Sequence, residues 1–139
     1  MIYVVTIFVK DEEKHWCQKE ALSTEELFMQ SGKNDLTIYS IIERDKQNNE
    51  PDKGLCHHRF QPNLIISESN NALNKPGTAF QIGSARFCVL KKDIKCHDKC
   101  NKYLKIHQVC DWKQKIIYAK VIKHGTLKIQ DPVCLLIDQ

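Results

Sequence analysis

Short apolar runs separated by polar turn signals make up most of the chain. These runs are rich in β-branched and aromatic residues, which at this length favour strands. They cover residues 2–9, 36–42, 63–67, 78–82, 85–90, 116–123, 126–129 and 133–137. Many short strands with frequent turns predict a mainly β protein whose sheets close into a barrel or stack as a sandwich.

Two glycine-containing dipeptides predict hairpins between neighbouring runs. Gly83-Ser84 separates the runs 78–82 and 85–90, and His124-Gly125 separates the runs 116–123 and 126–129. Glycine takes the positive φ angles that two-residue hairpin turns require. We therefore expect the strands on either side of each dipeptide to pair antiparallel.

Helical signals are few, and they predict one or two short helices. Ser23 is followed three residues later by Glu26, which is the spacing of a capping box, and Gly32 is placed to end the helix. Residues 45–53 are polar and include Pro51, so they predict a loop. Residues 95–112 have weak helical spacing, which would bring Cys96 and Cys100 onto one face.

Length and composition are those of an ordinary globular domain. The 139 residues are 42% hydrophobic and 27% charged, which predicts a single domain over residues 1–139. The apolar run at the start is too short to cross a bilayer. A charged stretch from Lys10 to Glu13 follows it, where a signal peptide would have a small-residue cleavage site. We expect a cytoplasmic protein that does not bind membranes.

The formal net charge of +4 is too small to predict nucleic-acid binding. Basic residues are, however, concentrated in one part of the chain, where only Asp93 and Asp98 oppose them. This cluster contains Arg86, Lys91, Lys92, Lys95, Lys99, Lys102 and Lys105. It suits a phosphate-bearing small ligand, and it equally suits a solvated basic face.

Seven cysteines are many for this length, and their odd number disfavours a disulfide framework in a chain without a secretory signal. Cys88 and Cys134 lie within apolar strand patterns, so we expect them to be small core residues. The other thiols are candidates for metal ligands or nucleophiles.

The densest reactive cluster is Cys96-His97-Asp98-Lys99-Cys100, followed by His107 and Cys110. Lysines flank both cysteines of the pentapeptide and would favour the reactive thiolate form. Three interpretations stay open. The thiols of Cys96, Cys100 and Cys110 with a histidine would hold structural zinc, although the spacing is not that of paired C-x-x-C motifs. In the second interpretation these cysteines are small buried core residues. In the third, one of them is a functional thiolate that binds a soft metal or carries sulfur.

A second cluster, Cys56-His57-His58-Arg59, has two interpretations. Its thiol and imidazoles would suit a metal, and Arg59 would suit a phosphate. The simpler interpretation is a polar approach to the strand at 63–67.

Four segments together resemble a known family. They are residues 60–66 (FQPNLII), residues 76–85 (PGTAFQIGSA), the cysteines at 96, 100 and 110, and residues 117–121 (IYAKV) with Gly125, Ile129 and Asp131 downstream. Their order and spacing resemble the MOSC domain, which is named for the C-terminal domain of molybdenum-cofactor sulfurases. The similarity covers residues 54–137 and is strongest to the small stand-alone type.

The resemblance implies a mixed, mostly β barrel, similar to the insert barrel of pyruvate kinase. It implies binding of a molybdenum cofactor (a phosphorylated pterin) or transfer of sulfur from a donor protein. Cys100 would act as the metal ligand or sulfur acceptor, with Cys96 second and Cys110 nearby. Arg59, Lys95 and Lys99 would hold the phosphate of the cofactor, and Asn63 would bind the cofactor from the F-x-x-N segment.

Two other functions stay open beside that one. The first is a molybdenum-dependent reductase of N-hydroxylated compounds, which would need a redox partner because the chain has no electron-donor domain. The second is a non-catalytic module that binds zinc or a protein on the same barrel.

Three departures from the family pattern bear on this resemblance. Ile116 and Gln130 stand where relatives have glycine, and no counterpart of the N-terminal G-D-x-H-A-G-like motif lies between Gly32 and Leu36. The two glycine losses are tolerable where the backbone does not need positive φ.

Overall fold

The structure, a computed structural model, describes residues 1–32, 34–49, 60–91 and 114–136. Within these ranges the strands are β1 (Val4–Lys10), β2 (Trp16–Lys19), β3 (Ala21–Ser23), β4 (Asp35–Ser40), β5 (Leu64–Ile66), β6 (Ala79–Ile82), β7 (Ala85–Val89), β8 (Ile117–Lys123), β9 (Thr126–Lys128) and β10 (Val133–Leu135). The helices are α1 (Thr24–Ser31) and α2 (Ile41–Asn48), and a single 3₁₀ turn covers Ala72–Asn74.

Within the described residues, eight strands form one curled sheet in the order β10-β6-β7-β8-β4-β5-β1-β2. All neighbours are antiparallel except β4 and β5, which are parallel. The curl brings the start of β10 back to the start of β1, where the Val133 amide donates to the Ile2 carbonyl at 2.8 Å. The predicted mainly β class with one or two short helices is therefore confirmed, in the form of a half-barrel with two helices.

The main hydrophobic core lies inside this curl. It contains buried side chains from β1, β4, β5, β6, β7, β8 and β9, among them Ile7, Leu64, Phe80, Phe87 and Ile117, each of which is fully buried. Alternation along β4 sends Leu36 and Ile38 into this core, whereas Asp35, Thr37 and Tyr39 point to the opposite face. A smaller apolar cluster, with Tyr39 and Ile116 at its centre, lies on that opposite face.

Both helices begin at a serine cap. The Ser23 hydroxyl accepts from the Glu26 amide, and Gly32 ends α1 with a φ of 70°, so the capping-box prediction is confirmed. The sequence analysis missed α2, because it assigned 41–42 to a strand and residues 45–53 to a loop. Ser40 caps this helix by accepting from the Glu43 amide at 3.1 Å, which is the same serine-to-glutamate spacing.

The Gly83-Ser84 hairpin is confirmed, since β6 and β7 pair antiparallel across it and Gly83 has a φ of 60°. The His124-Gly125 hairpin is wrong. After Gly125 the chain leaves the large sheet, and β9 pairs with β3 in a separate two-stranded sheet. Gly125 makes this crossing possible, because a Cβ there would lie 2.5 Å from the carbonyl carbon of Ser84.

The two positions that replace family glycines behave differently. Ile116 is buried in the smaller apolar cluster, with 2% of its surface exposed, so its side chain contributes packing. Gln130 has a φ of 76°, in the third position of the turn that the Asp131 amide closes on the Lys128 carbonyl. That position favours glycine. Replacement of the family glycine is therefore tolerated at Ile116, whereas at Gln130 it leaves a non-glycine residue in a strained backbone conformation.

We predict that Gln130→Gly stabilises the fold. A left-handed conformation costs a non-glycine residue about 1–2 kcal/mol, and the extra freedom of glycine in the unfolded chain offsets about half of this. The free energy of unfolding should rise by about 0.5–1 kcal/mol in urea denaturation. Lys128→Gly, in the extended strand β9 of the same turn, is the control and should lower stability. A loss of stability at Gln130→Gly equal to that of the control would contradict the assignment.

Candidate functional site

A cleft of about 880 Å³ opens on the face of β4 that points away from the main core. Five parts of the chain form its walls: the end of β1 with the turn into β2, the second half of α1, the start of β4, the approach to β5, and β8. The lining residues are Lys10, Asp11, Glu12, Lys14, Trp16, Leu27, Met29, Gln30, Ser31, Asp35, Leu36, Thr37, Phe60, Gln61, Asn63 and Tyr118. This volume lies in the range of small-molecule and cofactor sites.

The side chain of Asn63 ties three strands together at the floor of the cleft. Its Oδ1 accepts from the Thr37 amide at 3.1 Å and from the Thr37 hydroxyl at 3.3 Å, and its Nδ2 donates to the Phe8 carbonyl at 3.2 Å. The Asn63 backbone repeats both links, because its amide donates to the Thr37 hydroxyl and its carbonyl accepts from the Phe8 amide. Asn63 thus bridges β4 to β1 at the point where β5 begins.

The turn between β1 and β2 is organised by Asp11. Its Oδ1 accepts from the backbone amides of Glu13 and His15, both at 2.9 Å, and its backbone closes the turn with His15 and Lys14. The hydrogen bond from the His15 amide is the largest cause that lowers the pKa of the Asp11 carboxyl. The ammonium group of Lys10 lies over the ring of Trp16, 5.1 Å from its centroid, on the same wall.

Behind the cleft, Arg44 of α2 reaches the approach to β5. Its Nη1 donates to the Phe60 carbonyl at 3.0 Å and to Gln47 Oε1, and its Nη2 donates to Gln61 Oε1 at 3.1 Å. All three acceptors are neutral. Burial lowers the pKa of the Arg44 guanidinium, and the nearby Tyr39 opposes that change. The guanidinium still carries its charge at neutral pH.

The amide of Gln61 is oriented by this contact. Because Arg44 holds Oε1, the Nε2 group faces the other way, where it is buried and has no acceptor among the residues that the structure describes. A buried donor without a partner costs about 1–3 kcal/mol. Gln61 itself lines the cleft.

Phe60 and Tyr118 belong to the aromatic wall of the cleft. Phe60 follows residues 50–59, stands edge-on to Tyr39 with ring centroids 5.6 Å apart, and packs on the smaller apolar cluster. Tyr118 packs on the same cluster, and its carbonyl accepts from the Leu90 amide at 2.7 Å. Leu90 and Gln114 stand near the two ends of residues 92–113. The end at Leu90 is therefore fixed beside Tyr118.

Most predicted site residues lie outside the described residues. These are Cys96, Cys100, Cys110, Arg59, Lys95 and Lys99, together with the Cys56-His57-His58 cluster. Asn63 is described. It lines the cleft, and most of its hydrogen-bonding capacity is used within the protein.

The expectation that Cys88 and Cys134 are core residues is wrong. Cys88 is half-buried on the outward side of β7, and Cys134 is exposed on β10. Alternation explains the position of Cys88, because Phe87 and Val89 take the inward places beside it. Within the ranges 1–32, 34–49, 60–91 and 114–136, no group of three His, Cys, Asp or Glu side chains is placed to hold a metal ion.

The sequence analysis did not identify Thr37, Gln61 or Arg44 as site residues. Thr37 and Asn63 are 26 positions apart, and no local pattern reports such a contact. Arg44 was assigned to a strand-to-loop boundary because α2 was missed. The Ser40-to-Glu43 capping signal would have placed it on a helix.

No protein-family model and no curated protein matches the chain. Two solved structures share its fold. The crystal structure of YiiM from Geobacillus stearothermophilus, a MOSC-domain protein, superposes with a TM-score of 0.58 at 14% identity, over 99% of this chain and 76% of that one. The crystal structure of a hypothetical protein superposes with a TM-score of 0.62 at 18% identity, over 99% and 69%. The fold is therefore MOSC-like.

The helices within the described ranges are all too short or too polar to cross a membrane.

We predict that Asn63→Asp destabilises the protein by about 2–4 kcal/mol, because a carboxylate cannot donate to the Phe8 carbonyl and brings an uncompensated charge to a half-buried position. The free energy of unfolding in urea measures this loss. Asn34→Asp, the same change at an exposed position just before β4, is the control and should stay within about 0.5 kcal/mol of wild type. Equal stability of the two variants would show that the Asn63 amide is dispensable.

We predict an acid transition of the β1–β2 turn. A carboxyl whose folded pKa is depressed stabilises the fold above its unfolded value, and this stabilisation is lost as pH falls through the folded pKa. Because the pKa of Asp11 lies below 3.8, the turn should loosen only below about that pH. Trp16 fluorescence in a Trp112→Phe background reports it. Asp11→Asn keeps the Oδ1 acceptor without titrating, so the transition should vanish there. Its persistence would mean that another group titrates.

Proposed function

We propose that this MOSC-like domain binds a molybdenum cofactor or carries sulfur, and that a cysteine thiolate performs the chemistry. Cys100 is the leading candidate and Cys96 the second. The observation that supports this most is the position of the cleft. Its aromatic wall includes Phe60 and Tyr118, and the Tyr118 carbonyl accepts from the amide of Leu90, which comes shortly before the cysteine segment in the sequence.

The described lining of the cleft suits the pterin ring of such a cofactor. Three aromatic side chains, Trp16, Phe60 and Tyr118, offer surfaces on which a flat ring can pack. Asp35 supplies an acceptor for ring N–H groups. Lys10 and Lys14 are opposed by Asp11 and Glu12 on the same wall, so the phosphate contacts are proposed elsewhere. A cleft of about 880 Å³ is large enough for a ligand of that size.

When bound, the cofactor would supply a redox-active metal held by a dithiolene. The chain's own part would be to hold it and to offer a thiolate. Arg59, Lys95 and Lys99 are the proposed phosphate contacts, and Cys100, with Cys96 or Cys110, is the proposed metal ligand, since thiolate suits soft metals. Asn63 would act mainly by positioning the cleft floor, because its amide already bonds to Thr37 and Phe8.

In the sulfur-carrier form, the partner is a donor protein that holds a persulfide. The thiolate of Cys100 would attack the outer sulfur, and the thiolate of the donor would leave, so that Cys100 carries the persulfide. The thiolate of Cys96 would then attack the inner sulfur of the Cys100 persulfide, which breaks its S–S bond, forms a disulfide with Cys100 and releases the outer sulfur as hydrosulfide. As a reductase of N-hydroxylated compounds, the domain would instead need an external redox partner.

The proposal predicts that the protein, expressed in a host that makes the molybdenum cofactor, copurifies with molybdenum and a fluorescent pterin. Cys100→Ser should lower the molybdenum content about tenfold or more while circular dichroism stays unchanged, because serine is nearly isosteric but a poor ligand for soft metals. Cys88→Ser, on the outward side of β7, is the matched control and should load as wild type does.

Elemental analysis separates the alternatives. If the wild-type protein contains zinc instead of molybdenum, and the Cys96→Ser variant loses that zinc, the structural zinc module is favoured. Neither metal, together with no persulfide on Cys100 after incubation with a sulfur donor, would contradict the proposed function. Full loading of Cys100→Ser would move the site to another thiol.

A further inference from the structure

Arg44 and Gln61, here called the Arg44–Gln61 pair, combine a charge without a described counter-charge and a buried donor without a described acceptor. The proposed cysteine chemistry assigns no role to either residue. Arg44 is half-buried and charged, and its three hydrogen-bond acceptors among the described residues are all neutral. Within the described ranges, the ion pairs are His15 with Glu13 and Lys46 with Glu43, so no described carboxylate lies within 4 Å of this guanidinium. Buried charges in proteins are usually paired.

Gln61 lacks a hydrogen-bond acceptor for its side-chain amide. Its Oε1 serves Arg44, but its Nε2 is buried and without an acceptor among the described residues. An anion at this position would supply what both residues lack, namely a counter-charge for the guanidinium and an acceptor for the amide. Since Gln61 lines the cleft, such an anion would belong to a ligand that enters from the cleft.

We propose that the Arg44–Gln61 pair is an oxyanion-binding subsite at the back of the cleft, and that it takes a carboxylate or phosphate group of a small ligand. In the free protein Gln61 Oε1 occupies the place of the anion on Arg44 Nη2. An oxyanion replaces this neutral acceptor by a charged one, so the guanidinium keeps its hydrogen bond and gains a counter-ion. The terminal torsion of glutamine is soft, so Gln61 can turn and donate Nε2 to the same anion.

This inference is independent of the cysteine chemistry, because all of its residues are described and none of them is a thiol. It concerns recognition of an anionic group, whichever reaction the domain performs. A failure of the molybdenum experiment would leave it intact, and its own failure would leave the thiol proposal intact.

The test titrates the full chain with inorganic phosphate and, separately, with acetate, each against chloride at equal ionic strength. Calorimetric titration gives the affinity and thermal unfolding gives the stabilisation. Binding of both anions indicates a general oxyanion subsite, and binding of one identifies whether a tetrahedral or a planar group is preferred. No binding of either anion beyond the chloride reference overturns the proposal.

Gln61→Glu is the decisive variant. Its carboxylate would lie against Arg44 as an internal counter-ion, so the variant should be at least as stable as wild type and should bind the anion about 10–100-fold more weakly. Gln81→Glu is the matched control, because Arg86 donates to Gln81 Oε1 at 3.0 Å in an exposed pair on β6 and β7. The control should bind as wild type does. Unchanged affinity in Gln61→Glu, or a clear loss of its stability, overturns the subsite.

Discussion

The cleft depends on the side-chain amide of Asn63, which bonds to Phe8 of β1 and to Thr37 of β4 just before β5 begins. The sheet changes direction here, because β5 is parallel to β4 and antiparallel to β1. A side-chain amide carries a donor and an acceptor, as a peptide group does, so it bridges two strands where the backbone ladder has not yet started. The strand ends that form the cleft floor are held in register by this contact.

Several features of the cleft follow from that bridge. The end of β1 leads into the turn that Asp11 organises, and the residues just before Asn63 supply Phe60 and Gln61 to the wall. The Arg44 guanidinium holds those two residues through hydrogen bonds to the Phe60 carbonyl and to Gln61 Oε1. Its positive charge therefore lies among neutral acceptors. The same short stretch, residues 60–63, thus carries both the bridging amide of Asn63 and the buried Nε2 donor of Gln61, which has no acceptor among the described residues. This is why the cleft, rather than the convex sheet surface, is the place to expect a ligand.

The sequence predicted the parts of the fold that local chemistry determines. The capping box of α1 and the turn at Gly83 were found because their residues act on near neighbours. The partner of β9 was missed because Gly125 lets the chain pass close to Ser84, 41 positions away along the sequence, and no local pattern reports such an approach. The F-x-x-N motif identified Asn63 as important, but its role depends on Thr37, a distant residue. The cysteines proposed for chemistry lie outside the described residues, so their predicted roles stay predictions.

Native-state hydrogen exchange tests most directly whether Asn63 holds the cleft floor together. The Thr37 amide donates to the Asn63 side chain and the Phe8 amide donates to the Asn63 carbonyl. We predict that both amides exchange only through global unfolding, with the same free energy of opening as the fully buried core residues Ile7 and Leu64. Exchange of the Thr37 amide as fast as that of the exposed residues 68–71 would contradict this role for Asn63.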